Sequence, residues 1–385
     1  MKLPNSVFRI KYIAFLLALL FLGLSSCKET ERKPIDLKEG LSKFDAREYP
    51  NKNITDGPYV FYQNGEIILK WIEKDKVLEN TISESNFDLI KDNFGLDLKL
   101  EWLKENNTPV DYKQEYEDIN KIIAISDIHG QYKLFVKILR EYNVIDEHNN
   151  WSFGKGHLVI VGDIFDRGTQ VNEVLWMVFK LEHQAMEQGG RLHYTIGNHE
   201  EMIINKDLRY VNDKYVESAA KMDLSYDQLF AKNTLMGNWL RTKPVILQLN
   251  DILFVHAGIS PEVVEKGFTA EQMNKTFVNE ILGYTKSETE NDSVLTFLRG
   301  SNGPIWYRGY FRDKDLSRDD IDKILKHFDK KQIVVGHTSQ KSIVSLFGDR
   351  VFGIDSSIKN GKYGEVLIYE NGDFYRGPIK LPSKY

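Results

Sequence analysis

Apolar residues in this chain come in short unbroken runs, and the polar residues that end those runs repeat a small chemical vocabulary. Ile122-Ile123-Ala124-Ile125 leads into Ser126-Asp127-Ile128-His129-Gly130, and Leu158-Val159-Ile160-Val161 leads into Gly162-Asp163-Ile164-Phe165-Asp166-Arg167-Gly168. Tyr194-Thr195-Ile196 leads into Gly197-Asn198-His199-Glu200. Further on, Ile252-Leu253-Phe254-Val255 ends in His256-Ala257-Gly258, and Ile333-Val334-Val335 ends in Gly336-His337-Thr338. These β-branched runs predict strands, and between them residues 132–142, 171–188 and 319–328 carry helical spacing. Strands alternating with helices predict an α/β fold, in which ligands gather just past the carboxyl ends of the strands.

The pattern divides the chain. Residues 45–118 form an accessory segment without clustered ligand residues. Its arms around Asn64-Gly65, from residue 59 to 71, carry a strong hairpin signal, and residues 85–94 and 98–103 predict short helices. Residues 119–377 form the α/β catalytic domain, with a mostly helical, polar insertion at 202–242 that would lie over the site, and residues 378–385 are a tail. Asn371-Gly372 marks a second hairpin.

Composition narrows the classes. A chain of 385 residues that is 42% hydrophobic and 12% aromatic can bury one large core or two modest ones. A net charge of −5 gives no overall basic field, so no nucleic-acid partner is expected. At the N-terminus, Lys2, Arg9 and Lys11 precede an apolar stretch at 12–24 that is shorter than the roughly 20 residues a membrane span needs. It stops at Leu24-Ser25-Ser26-Cys27, which resembles a bacterial lipobox. The expectation is a lipoprotein signal peptide at 1–26, lipidation of Cys27, a solvated tether over 27–44, and a membrane-anchored bacterial lipoprotein, periplasmic or at the cell surface. Cys27 is the only cysteine in the chain, so no internal disulfide can form.

Asp127, His129, Asp163, Asn198, His256 and His337 together offer carboxylate, amide oxygen and imidazole. That donor set suits manganese, iron or zinc and disfavours soft-metal sites. Two such ions, roughly 3.5–4 Å apart, need a bridging carboxylate and can hydrolyse a phosphoester by in-line displacement. Any one motif is weak, since an isolated Asp-x-His is usually a turn and Gly-Asn-His-Glu could be a helix cap. Their joint occurrence in order is the strong signal. His148, His157, His183, His193 and His327 are assigned to core or loop, and Glu200 and Glu201 to the start of a helix.

Asp127-Ile128-His129-Gly130, the Gly162–Gly168 motif, Gly197-Asn198-His199-Glu200 and the later histidines resemble the signature of the calcineurin-like metallophosphoesterases, in their phosphoprotein phosphatase branch. Gly303-Pro304-Ile305-Trp306-Tyr307-Arg308-Gly309 further resembles the bacterial Shewanella-like phosphatases. The resemblance implies two mixed β-sheets in a sandwich flanked by helices. It places Asp127, His129 and Asp163 on a first metal and Asp163, Asn198, His256 and His337 on a second, two divalent ions in all (Mn, Fe or Zn). It makes His199 the acid for the leaving oxygen, oriented by Asp166. Arg167 and Arg308, chosen over the nearby Arg299 and Arg312, would bind the substrate phosphate. Ser126 and Ala257 stand where the family often has glycine.

The implied activity is metal-dependent hydrolysis of phosphomonoesters, on phosphoproteins, phosphopeptides or small molecules, by a hydroxide generated between the ions. The alternatives are a dinucleoside-polyphosphate or other nucleotide hydrolase with the same metal set, and a surface lipoprotein that binds a ligand through a degenerate site.

Overall fold

The computed structural model describes residues 53–104 and 110–380. The expected signal segment, Cys27 and the tether lie outside them. Among the described residues no helix is long and apolar enough to cross a membrane.

The accessory segment opens with β1 (Asp56–Gln63), β2 (Glu66–Glu73) and β3 (Lys76–Ile82), an antiparallel sheet in the order β1-β2-β3. Asn64 and Gly65 make the first turn, with φ of 52° and 81°. Two successive left-handed residues match the twist of the strands they join, and Asn-Gly is the pair that adopts them most readily. The helix Asp88–Phe94 ends on a left-handed Gly95, and a single 3-10 turn, Leu100–Leu103, follows. The sequence signal was a hairpin; the third strand, with its mixed exposed pattern, carried no clear one.

Eleven further strands follow in chain order: β4 (Glu115–Tyr116), β5 (Lys121–Ile125), β6 (His157–Ile160), β7 (Arg191–Tyr194), β8 (Ile246–Leu249), β9 (Ile252–Val255), β10 (Gln332–Val335), β11 (Val344–Leu346), β12 (Val351–Gly353), β13 (Tyr363–Glu370) and β14 (Asp373–Lys380). They form two mixed sheets, ordered β14-β13-β5-β6-β7 and β11-β12-β10-β9-β8-β4. β4 lies in the segment the sequence pattern set apart as accessory, yet it pairs in parallel with β8 at the edge of the second sheet.

Alternate residues of each central strand face different layers. Ile122, Ala124, Val159, Ile252, Phe254 and Val334 meet in one apolar cluster, whereas Ile123, Ile125, Leu158, Ile160, Leu253, Ile333 and Val335 belong to the other. The first cluster draws on both sheets and fills the space between them. The second lies under the helices Tyr132–Glu141, Val171–Glu187 and Arg318–Phe328. Burial on both faces is why these strands read as continuous apolar runs without polar alternation. Each fully buried Ile or Val contributes about 1.5–3 kcal/mol, so the five runs that lead to the polar motifs are also the framework of the core.

The 202–242 insertion is helical as its pattern suggested, with Asp213–Lys221, a 3-10 turn at Tyr226–Phe230 and Leu235–Leu240. It receives the N-terminal sheet, where Tyr62 N donates to Asn233 O at 2.8 Å. Trp176 Nε1, on the long helix, donates to Pro58 O at 2.9 Å.

Candidate functional site

Polar loops leave the carboxyl ends of β5, β6 and β7 in one sheet and β9 and β10 in the other, and all of them turn into the same space. Several do so in a conformation that residues other than glycine rarely adopt. Asp127, His129, Asp163, Asp166, Arg167 and His337 all have φ between 48° and 70°. Such residues cost of order 1–3 kcal/mol each and persist only where their surroundings over-determine them.

Backbone and carboxylate groups supply that constraint. Glu200 Oε2 accepts N–H bonds from Asp163 at 2.9 Å and Gly197 at 2.7 Å, while Oε1 accepts one from Ile164 at 2.8 Å. His337 N donates to Asp127 Oδ2 at 2.9 Å, and His199 N to Asp163 Oδ1 at 3.1 Å. Glycines allow the close approach. A Cβ on Gly162 would stand 2.5 Å from His256 Nδ1, and one on Gly336 would collide with Ser126 and Asp127.

The geometry converges on Asp163. Its Oδ2 lies 3.7 Å from His129 Nε2 and 3.8 Å from His199 Nε2, and its Oδ1 lies 3.3 Å from His256 Nε2. Asp127 Oδ1 is 3.9 Å from His129 Nε2. Asn198 Oδ1 is 3.0 Å from His256 Nε2, and the His337 ring packs 5.0 Å from that of His256. Ligand atoms of His129, Asp163 and His199, and of Asp163, His256 and His337, form two groups, each within 4.8 Å, that share the aspartate. All six predicted metal ligands are buried around one centre.

The residues fit a pair of cations. His129 Nδ1 is bonded to Phe165 O at 2.6 Å and His256 Nδ1 to Val161 O at 2.8 Å, which fixes those nitrogens as donors and turns each Nε2 lone pair inward. His256 Nε2 then faces only acceptors, namely Asn198 Oδ1 and Asp163 Oδ1. His337 Nε2 is buried with no partner at all. Imidazole nitrogens set against carboxylate and amide oxygens in a buried space call for positive charge between them.

Electrostatics say the same. Burial opposes a charged His256, but Asp163 and Asp127 lift it to about 9. Burial also opposes a charged Asp163, but the histidines around it hold it well below the usual carboxylate range. Burial pushes Asp127 up, helped by Asp355 and Asp163. His129 and His337 are held well below their ordinary value by burial and by neighbouring cations. Of the histidines around Asp163, His256 and His199 are raised by the carboxylates, while His129 and His337 are lowered.

Beside this centre, His199 Nδ1 is bonded to Asp166 Oδ2. Burial works against charging His199, but Asp163 and Asp166 outweigh it and raise its pKa. The exposed Arg167 acts electrostatically on His129 and His199, and Arg308 acts on His337. Arg308 donates to His337 O at 3.1 Å and Thr338 Oγ1 at 3.3 Å. Its two competitors are elsewhere engaged or turned outward. Arg299 is buried against Glu201 at 2.7 Å, and Arg312 is exposed. The five histidines assigned to core or loop stay away from the centre. His157 and His193 pair with each other, His183 stacks on Trp102, His327 bonds Phe268 O, and His148 is exposed.

Three contributors carried no usable sequence signal for their place here. Asp355, from the loop after β12, is buried, accepts from Ser339 Oγ at 2.5 Å and raises Asp127. Ser126 bonds the Asp127 carboxylate through its hydroxyl, so its departure from glycine adds a contact. Tyr210, 43% exposed, stands with its ring centroid 5.5 Å from that of His199 and 5.6 Å from the Arg167 guanidinium carbon. Only Glu200 had a signal, its place in Gly-Asn-His-Glu, and its start-of-helix position is what lets it cap two loops.

Comparison with known proteins identifies the family. The calcineurin-like phosphoesterase family profile matches residues 120–348. The solved structure of a cold-active protein-tyrosine phosphatase of a psychrophilic Shewanella is 37% identical, covering 85% of this chain and 99% of that one, with a TM-score of 0.74. Shewanella-like protein phosphatase 1 of Plasmodium berghei is 30% identical over 268 residues, 64% of this chain and 70% of the relative. A symmetrical bis(5′-nucleosyl)-tetraphosphatase of Chromobacterium violaceum is 31% identical, but over only 37% of this chain and 44% of its own length. The shared aspartate, the inward imidazoles and the family match together make this chain a member of the calcineurin-like phosphoesterases and a metal-dependent phosphatase.

Proposed function

We propose that the chain hydrolyses phosphomonoesters on phosphorylated proteins or peptides. The observation that carries this is Asp163, whose two oxygens face separate imidazole groups. Asp127, His129 and Asp163 would hold one divalent cation, and Asp163, Asn198, His256 and His337 would hold the other, manganese being a donor-compatible choice alongside iron and zinc. When bound, the pair acidifies a water and neutralises charge on the phosphoryl oxygens.

The chain's own residues do the rest. Arg167 and Arg308 grip the phosphoryl oxygens with planar paired donors. Asp166 holds His199 by Nδ1, so the Nε2 proton is the one available to the substrate. As the water oxygen bonds to phosphorus, the ester P–O bond breaks and the departing oxygen takes that proton, leaving an alcohol and inorganic phosphate. The exposed ring of Tyr210 at the rim favours aryl over alkyl esters by stacking. That preference is in keeping with the tyrosine phosphatase named above. The lipobox-like stretch before Cys27 supports a further proposal, a bacterial lipoprotein anchored to a membrane in the periplasm or at the cell surface.

The test uses manganese-loaded protein and an aryl phosphate. Removing His199 as His199→Ala is expected to cost about 10²–10⁴ in rate, and Asp163→Asn to abolish both activity and metal retention. Near wild-type turnover by both variants overturns the assignment. A dinucleoside polyphosphate in the same panel, if preferred over phosphomonoesters, points to the nucleotide hydrolase instead.

A further inference from the structure

Arg167 sits in a stretch that could not keep its shape unaided, because Asp166 and Arg167 are consecutive left-handed residues, with φ of 70° and 64°. Neighbouring groups hold it from one side. Arg167 N donates to Tyr210 O at 3.2 Å, Asn212 Nδ2 donates to Arg167 O at 3.0 Å, and Lys214 Nζ donates to Thr169 O at 3.0 Å. Tyr215 closes the stretch, its hydroxyl accepting from Val171 N at 2.6 Å.

Of these, Lys214 is the one that needs help. Its side chain is only 19% exposed, and a partly buried ammonium requires a counter-charge. That charge comes from another part of the chain altogether. Asp56 on β1, its side chain 1% exposed, brings Oδ1 to 3.2 Å from Lys214 Nζ. The same oxygen accepts from Asn172 Nδ2 at 3.0 Å, just past the end of the loop, while Oδ2 accepts from the Tyr59 hydroxyl at 2.6 Å. Glu173 also interacts with Lys214, and burial pushes it above its usual range, which weakens it as a competing anion.

We propose that the N-terminal sheet is part of the phosphate site at one remove: Asp56, acting through Lys214 and Asn172, holds residues 166–171 so that Arg167 is set in place before substrate arrives. Asp56 and Lys214 are therefore positioning residues. The proposal rests on the assignment of Arg167 to the phosphoryl group. An arginine fixed during folding need not be ordered on binding, so its release weakens capture of phosphate more than it slows the bond-breaking step.

The experiment uses the metal-loaded full chain, inorganic phosphate as a competitive inhibitor, and an aryl phosphomonoester as substrate. Asp56→Asn is expected to weaken phosphate inhibition and raise KM by about tenfold while kcat stays within about twofold. Lys214→Met should reproduce this, and the double variant should be no worse than either single one. In an Arg167→Ala background, Asp56→Asn should add nothing further, whereas a merely structural role would still register there. Glu79→Gln, which removes the Lys70–Glu79 pair of the same sheet at 2.6 Å, should leave phosphate inhibition unchanged. Unaltered phosphate inhibition in Asp56→Asn, or a loss that persists in full without Arg167, overturns the proposal. Should Asp56→Asn not fold, the Lys214→Met cycle decides in the same terms. If Arg167→Ala itself leaves phosphate inhibition intact, the assignment of Arg167 fails, and the proposal with it.

Discussion

Tyr210 shows how much a single side chain can decide at the rim of a buried centre. Its ring lies against the His199 imidazole, with centroids 5.5 Å apart, yet it stays 43% exposed. On the proposed reading, a substrate ring entering towards His199 would meet it, whereas a serine ester would leave that space unfilled. Aromatic pairs of this kind are worth about 0.5–1.5 kcal/mol beyond their area. Tyr210→Ala should therefore lower kcat/KM for a phosphotyrosine peptide by about threefold to tenfold relative to the matching phosphoserine peptide, and Tyr210→Phe should retain the ratio. An unchanged ratio in the alanine variant would remove Tyr210 from selectivity. Nothing in the sequence marks this residue, because it lies in a polar insertion where neither spacing nor motif singles out one tyrosine. The ligands were legible for the opposite reason. Each stands within four residues of the end of an apolar run, and their types, in order, admit few other purposes.

At the level of strands and loops, the glycines explain why the ligands can crowd together. Gly162 has φ of 75°, and a Cβ there would meet His256 Nδ1 at 2.5 Å and the Gly197 backbone at 2.8 Å. Gly154 is also left-handed, with φ of 56°, but a Cβ there meets nothing within 4 Å. Gly154→Ala should then cost only backbone strain, about 1–2 kcal/mol. Gly162→Ala should lower Tm by more and reduce bound metal, as measured by elemental analysis of the purified protein. Equal effects of the two substitutions would show that the contact with His256 is without weight. The strands were readable as apolar runs and the helices by their spacing, whereas the pairing of Glu115–Tyr116 with β8 was not. Two residues carry no period, and only tertiary contact makes them a strand.

The molecule as a whole places a second histidine pair far from its chemistry, where the two sheets approach at their edges. His193 Nε2 lies 2.9 Å from His157 Nδ1, and the Tyr116 ring, on β4, stands 4.9 Å from that of His193. Burial pulls His157 down to about 4, Arg191 adding to the effect, and burial holds His193 well below its ordinary value. Both are neutral in the fold and take up protons more readily when unfolded. The contribution of His157 to stability is complete above the ordinary value of 6.5 and is lost as pH falls from there towards about 4, and that of His193 is lost in the same direction. For His157 alone the loss is on the order of 3 kcal/mol at the acid end. Denaturant titrations of wild type and His157→Asn across this window should show a shallower acid slope in the variant, and parallel slopes would exclude the pair as its source.

The division of the ligands between the two sheets has a mechanical consequence. Asp127, His129, Asp163 and Asn198 follow strands of one layer, while His256 and His337 follow strands of the other. Cations seated among them would pin the layers together as a rivet pins two plates, in a chain whose lone cysteine, Cys27, gives it no covalent cross-link of its own. Stripping the ions would then free the plates to shear against each other, and resistance to proteolysis along the seam would report how firmly the rivet is set.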